Sequence, residues 1–143
     1  MASFADISLE SITQRLRAFG CSHPEIEAVF VFGSVASGAA RRDSDLDVAV
    51  LLREDTGGVA VGDLRLNYSV EIEGLANVPA DIVILNSAGP ILRHQVLRKG
   101  RMVYTADEKR THRFIGDALV EFYDEIEMIG RMQDRAIRRL IGR

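Results

Sequence analysis

The sequence predicts an α/β (α+β) fold: a small mixed β-sheet flanked by helices, with a long helix at its C-terminal end. Three observations carry this. Short apolar runs at Glu27–Phe32, Val48–Leu52 and Ile82–Leu85 have the length and the branched or aromatic content of buried strands. Stretches with apolar residues at helical spacing alternate with these runs. From about Glu108 to Ile141, a final segment keeps one apolar stripe throughout.

The elements follow in order. Leu9, Ile12, Leu16 and Phe19 recur at helical spacing and stop at Gly20, predicting a first helix. Cys21–Pro24 reads as a connector to the first strand. Gly33 and Ser34 form a turn after Phe32, and Asp45 and Asp47 open the second strand. Arg53–Gly58 is a loop by composition. Val61, Leu64, Tyr68, Ile72 and Leu75 mark an amphipathic helix, which Asn77–Pro79 ends before a strand opened by Asp81. Pro90 suits the first turn of a short helix ended by Gly100, and Met102–Tyr104 reads as an edge strand. In the last helix, Ile115, Leu119, Phe122, Ile126, Ile129, Ala136 and Leu140 form a stripe interrupted at Gln133. Acids lie early in it and arginines late, matching the helix dipole. The stripe packs on its own domain or, in its distal part, on another subunit. A homo- or hetero-oligomer through this helix is therefore one expectation.

Length and composition bound the function. At 143 residues, the chain reads as one domain, 1–143, with a catalytic core of about 25–105 and the C-terminal helix at about 108–141. Hydrophobic residues at 47% and charged ones at 27% indicate a folded core. A net charge of −3 argues against general or direct nucleic-acid binding. Neither a long apolar segment nor a signal-like start is visible, so no membrane span is expected and the cytoplasm is the default. Cys21 is the only cysteine and has no zinc pattern around it. His23, His94 and His112 lack metal-ligand spacing, and Tyr68, Tyr104 and Tyr123 read as core or interface. No Ser-His-Asp or Cys-His arrangement is visible.

The chemistry concentrates in Gly33, Ser34, Asp45, Asp47 and Asp81. Side chains alternate along a strand, so Asp45 and Asp47 point the same way while Leu46 points into the core. Adjacent carboxylates are costly to keep ionised unless a cation lies between them. Hard oxygens converging on one point suit Mg²⁺, which takes one or two carboxylates together with phosphate oxygens and water. Gly33 lets backbone approach a phosphate closely, Ser34 can donate its hydroxyl, and N–H groups at a helix start favour anions. If the Asp81 strand neighbours that of Asp45 and Asp47, three carboxylates meet at one edge. That set is enough for two metal ions and an attacking hydroxyl.

The stretch from Gly33–Ser34 to Asp45 and Asp47, with Asp81 downstream, resembles the DNA polymerase β-like nucleotidyltransferase superfamily, and within it the minimal nucleotidyltransferases (the MNT group). Asp81–Asn86, Pro90–Arg93 and Val96–Tyr104 extend the likeness over roughly residues 25 to 105. Where this group often has an arginine in the turn after Gly-Ser, the chain has Ser37. Arg41 and Arg42 are the candidates to supply positive charge to a nucleotide instead. The resemblance implies a sheet of the polymerase β-like fold, ATP as donor and Mg²⁺, two ions during turnover, held by Asp45, Asp47 and Asp81. It further implies an antitoxin paired with a HEPN-domain ribonuclease toxin as a separate chain, onto whose tyrosine AMP is transferred. Little chain remains beyond the core and one helix to hold an acceptor, which favours an acceptor carried by another protein. Two other readings stay open: a small-molecule acceptor such as an aminoglycoside, and a non-catalytic antitoxin acting by binding.

Overall fold

The computed structural model describes residues 8–38, 44–54 and 61–142. Helix α1 (Leu9–Ser22) starts at Ser8, whose side chain accepts a hydrogen bond from the Ser11 N–H at 3.1 Å. It buries Ile12, Leu16 and Phe19. It also runs past Gly20, where the spacing predicted its stop. A β-carbon at Gly20 would fall on the Tyr104 ring, so this glycine admits an aromatic neighbour, and the helix ends at His23 instead.

Four strands follow: β1 (Ile26–Phe32), β2 (Leu46–Leu52), β3 (Ala80–Ile84) and β4 (Arg101–Thr105). They form one sheet in the order β3-β2-β1-β4. β1 runs antiparallel to both β2 and β4, whereas β2 and β3 are parallel, so the sheet is mixed as expected. The Met102–Tyr104 strand does lie at an edge. Helix α2 (Gly33–Ser37) fills the turn after β1. α3 (Val61–Ala76) makes the crossover between the parallel strands, and α4 (Pro90–Lys99) and α5 (Glu108–Ile141) frame β4.

Strand alternation gives the sheet two unequal faces. Val29, Val31, Val48, Val50, Ile82 and Ile84 join Ile12, Leu16, Phe19, Tyr68 and Ile72 in the larger core under α1 and α3. Ala28, Phe30, Ala49 and Leu51 face the other way, with Leu85, Val96 and Phe114 from α4 and α5 and the turn after β3. Leu46 is fully buried in the larger core. Asp47 and Asp81, one position out of phase with Val48 and Ile82, therefore belong to the thinner face.

The buried line of α3 runs through Leu64, Tyr68, Ile72 and Ala76. Val61 and Leu75, expected on the apolar face, remain 36% and 38% exposed because they lie off that i, i+4 line. α4 begins with Pro90 and ends at Gly100, where the cap N–H donates to the Val96 carbonyl at 2.7 Å. A β-carbon at Gly100 would come within 3.2 Å of the Val31 carbonyl oxygen.

Glu27, which the sequence placed at the head of an apolar run, is instead a buried acid in β1. Arg110, in the first turn of α5, donates to it through Nε at 2.6 Å and Nη2 at 3.3 Å. Arg53 approaches it at 3.2 Å. This cluster fixes the root of α5 to the sheet. Further along, Phe122 stacks on His94 with centroids 3.6 Å apart. Beyond that contact α5 leaves the domain, and every described residue from Arg131 onward is exposed.

Candidate active site

β1 and β2 pair so that Phe32 stands opposite Asp47, and β2 and β3 pair so that Asp47 stands opposite Asp81. Parallel neighbours in register share a face, so these two carboxylates are brought side by side at one end of the sheet. Asp45 lies one residue before β2, exposed and close enough for its charge to act on Asp47. The electrostatics reflect the crowding. Asp47 is pushed above the ordinary carboxylate range, first by burial, then by the charge of Asp81, then by that of Asp45.

Gly33 adopts φ +70°, a left-handed conformation that favours glycine. A β-carbon there would overlap the Asp47 carboxylate. The missing side chain thus lets the α2 turn and the β2 acid occupy adjoining space. α2 has no side-chain cap at its start, leaving its first N–H groups available to an anion. Ser34 is half-buried within this turn. The hydroxyl of Ser37, the residue that departs from the group's arginine, donates to the Ser34 carbonyl at 3.2 Å. Arg41 and Arg42 lie outside the described residues.

One residue the sequence reading missed is Arg65. It reaches from α3 to within 3.5 Å of the Asp81 carboxylate, both side chains more than half exposed. No spacing rule links a helix arginine to a strand acid sixteen residues on; only the crossover packing of α3 on β3 brings them together. Beside this pair lies a cavity of about 320 Å³ lined by Val61, Arg65, Asp81, Val83, Ser87 and Leu92. A larger cavity, about 500 Å³, lies at the opposite end of β2 around Arg53, Arg93 and Arg110. Chemistry decides between them, since Asp81 of the register pair borders the smaller cavity and neither acid of the pair borders the larger one.

Among the described residues, no group of three or more His, Cys, Asp or Glu converges as a ready-made metal cage. The donor set nonetheless fits Mg²⁺. It consists of carboxylate oxygens only, and a cation would offset the repulsion that, after burial, raises Asp47. An ion held by two carboxylates and completed by phosphate oxygens needs no third protein ligand.

Residues 14–109 match the family described as Polymerase beta, Nucleotidyltransferase. The chain belongs to the polymerase beta nucleotidyltransferase family. Its mixed sheet with flanking helices is the architecture of that family. Among proteins similar to this nucleotidyltransferase-family chain is the protein adenylyltransferase MntA of Shewanella oneidensis, 28% identical over 81 residues. The match covers 57% of this chain and 55% of MntA, so the chain spans about half the length of that relative. A structure described as a minimal nucleotidyltransferase is 38% identical, with a TM-score of 0.52, over 65% of this chain and 90% of that one. A chain from a toxin–antitoxin crystal structure with AMP-PNP superposes at a TM-score of 0.57 and 24% identity, covering 94% of this chain and 95% of that one. A third comes from the complex of tri-AMPylated Shewanella oneidensis HEPN toxin with MNT antitoxin, at a TM-score of 0.54, 20% identity and 92% coverage of both. The last two share the family's fold. Among the described residues, no helix is long and apolar enough to cross a membrane.

Proposed function

We propose that this protein is an adenylyltransferase antitoxin: it moves AMP from ATP onto a hydroxyl, a tyrosine by our reading, of a separate HEPN-domain toxin. The observation that carries the reading is the register pair Asp47–Asp81 beside the positive-φ turn at Gly33. It puts an acid pair against a backbone anion cradle, as transfer from a triphosphate requires. The family match supports a nucleotidyl donor, and the relatives' AMP-PNP and AMPylated HEPN toxin support ATP and a protein acceptor. We read the chain as one minimal domain, 1–143, acting in the cytoplasm.

In this mechanism the first N–H groups of α2, with Gly33 and the Ser34 hydroxyl, hold the terminal phosphates. Arg41 and Arg42, outside the described residues, are assigned by our reading to supply positive charge to the triphosphate. Asp45, Asp47 and Asp81 would hold Mg²⁺. When bound, the metal neutralises triphosphate charge and lowers the pKa of the acceptor hydroxyl. Asp81 accepts the hydrogen bond of that hydroxyl and aims its oxygen at the α-phosphorus. The new P–O bond forms as the bond to pyrophosphate breaks, and the hydroxyl proton leaves through Asp81 to water. The cavity beside Arg65 and Asp81 is where the acceptor side chain enters.

The test is to co-express the chain with a HEPN-domain partner and weigh the partner intact. A mass gain in whole AMP units that disappears with Asp45→Asn/Asp47→Asn is the expected result. A partner neutralised without any gain in mass would show inhibition by contact alone, and an unmodified, active partner would point to a small-molecule acceptor.

A further inference from the structure

We propose that the distal half of α5 is a self-association surface, on which a second copy of this chain packs its own α5 antiparallel. The helix has 34 residues, or about 50 Å, and only its first half is held by the domain. Past Phe122, the residues Ile126, Ile129, Gln133, Ala136 and Leu140 recur at alternating steps of three and four, the seam of a coiled coil. Among the described residues the seam is open: Ile126 is 45% and Leu140 87% exposed, and Ile129 is partly exposed.

The charge pattern selects the occupant and its direction. Acids stand at 121, 124, 125 and 127, and arginines at 131, 135, 138 and 139, with Asp134 the one acid inside the basic block. A parallel copy would set acids against acids and arginines against arginines. An antiparallel copy sets each acidic block against the partner's basic block. The domain then limits the register. His94 already covers Phe122, so the partner helix cannot slide further toward the root of α5. Centring the two-fold near residue 131 places Ile126 over the partner's Ala136 and Ile129 over the partner's Gln133. The same register sets Glu125 beside the partner's Arg139, while Gly130 meets its own copy at the crossing and permits close approach. Sliding outward by one layer loses the Glu125–Arg139 pairing.

Sedimentation of the 143-residue chain alone tests this. The expected result is a species of about twice 15.8 kDa at micromolar concentration, reduced to monomer by Ile129→Glu with an unchanged circular-dichroism spectrum and an unfolding temperature that, unlike the wild type's, does not rise with concentration. Glu125→Arg or Arg139→Glu alone is expected to weaken dimerisation by about tenfold, and the two together to restore it. In a Cys21→Ser background, Glu125→Cys/Arg139→Cys should form an intermolecular disulfide that neither single cysteine forms. A monomeric wild-type chain, including one that associates only with a HEPN-domain protein, overturns the proposal. So does a charge swap that fails to restore the dimer, or cross-linking by Glu125→Cys alone.

Discussion

The Asp47 carboxylate lies in the space that a side chain at residue 33 would fill. Gly33 is held at φ +70°, so the same residue meets two constraints, one of conformation and one of contact. Gly33→Ala is therefore expected to cost about 1–3 kcal/mol of stability, through strain and displacement of Asp47. Transfer activity should fall by at least about a hundredfold, because the acid and the phosphate turn no longer fit side by side. Chemical denaturation and a transfer assay on the folded variant check both.

Asp47 supplies a test with a defined pH sign. Its folded-state pKa lies above the ordinary carboxylate value because of burial, Asp81 and Asp45. Ionised Asp47 therefore destabilises the fold at neutral pH, and this penalty vanishes below the ordinary carboxylate range. Asp47→Asn should unfold at higher temperature than the wild type at pH 7. The gain should shrink as the pH falls through the folded-state pKa of Asp47. Activity should be lost in the same variant. A drop in stability at pH 7 would count against a strained acid pair.

Arg65 sits where a cation would compete for Asp81. Removing its charge with Arg65→Gln should tighten Mn²⁺ binding a few-fold in the absence of nucleotide, with little effect on folding, since the pair is exposed. Titration of Mn²⁺ by electron paramagnetic resonance measures this directly.

Glu27 joins β1 to α5 through Arg110 and to the end of β2 through Arg53. Glu27→Ala leaves both guanidinium groups without their shared carboxylate. The expected cost is about 2–3 kcal/mol, below the full value for a buried pair because Arg110 stays half in water. Hydrogen exchange should quicken in the first turns of α5 before it does elsewhere.

Tyr68 donates to Glu25 at 2.7 Å, and His23 bridges Glu25 and Glu71 at 3.0 and 2.8 Å. For Glu25 burial works upward, but Tyr68, its own backbone and His23 together hold the carboxyl below its usual value. That stability is present above the ordinary carboxylate range and is lost as the pH falls through the folded-state pKa. Tyr68→Phe should cost about 1–2 kcal/mol at pH 7 and less in acid, as urea titrations at both pH values will report.

The apolar runs, the breaks at Asn77–Pro79 and Gly100 and the alternation at Leu46 were legible in the sequence because they are local. Strand length, helical period and turn chemistry are encoded within a few residues of where they act. Gly20 misled the reading: a glycine that ends a helix and one that admits a ring look alike until the ring is in place. Glu27 misled it too, because its two arginines are remote in the chain.

By itself the sequence determined the elements, the acid and glycine positions and the long amphipathic helix, all set by short-range periodicity. Tertiary structure decided that Asp47 and Asp81 stand in register, that Arg65 guards one of them, and that, among the described residues, the first half of α5 is the part that packs on the domain. Each of these depends on which strands pair and which helix crosses them. Strand pairing brings together residues far apart in sequence, and no local pattern carries that information.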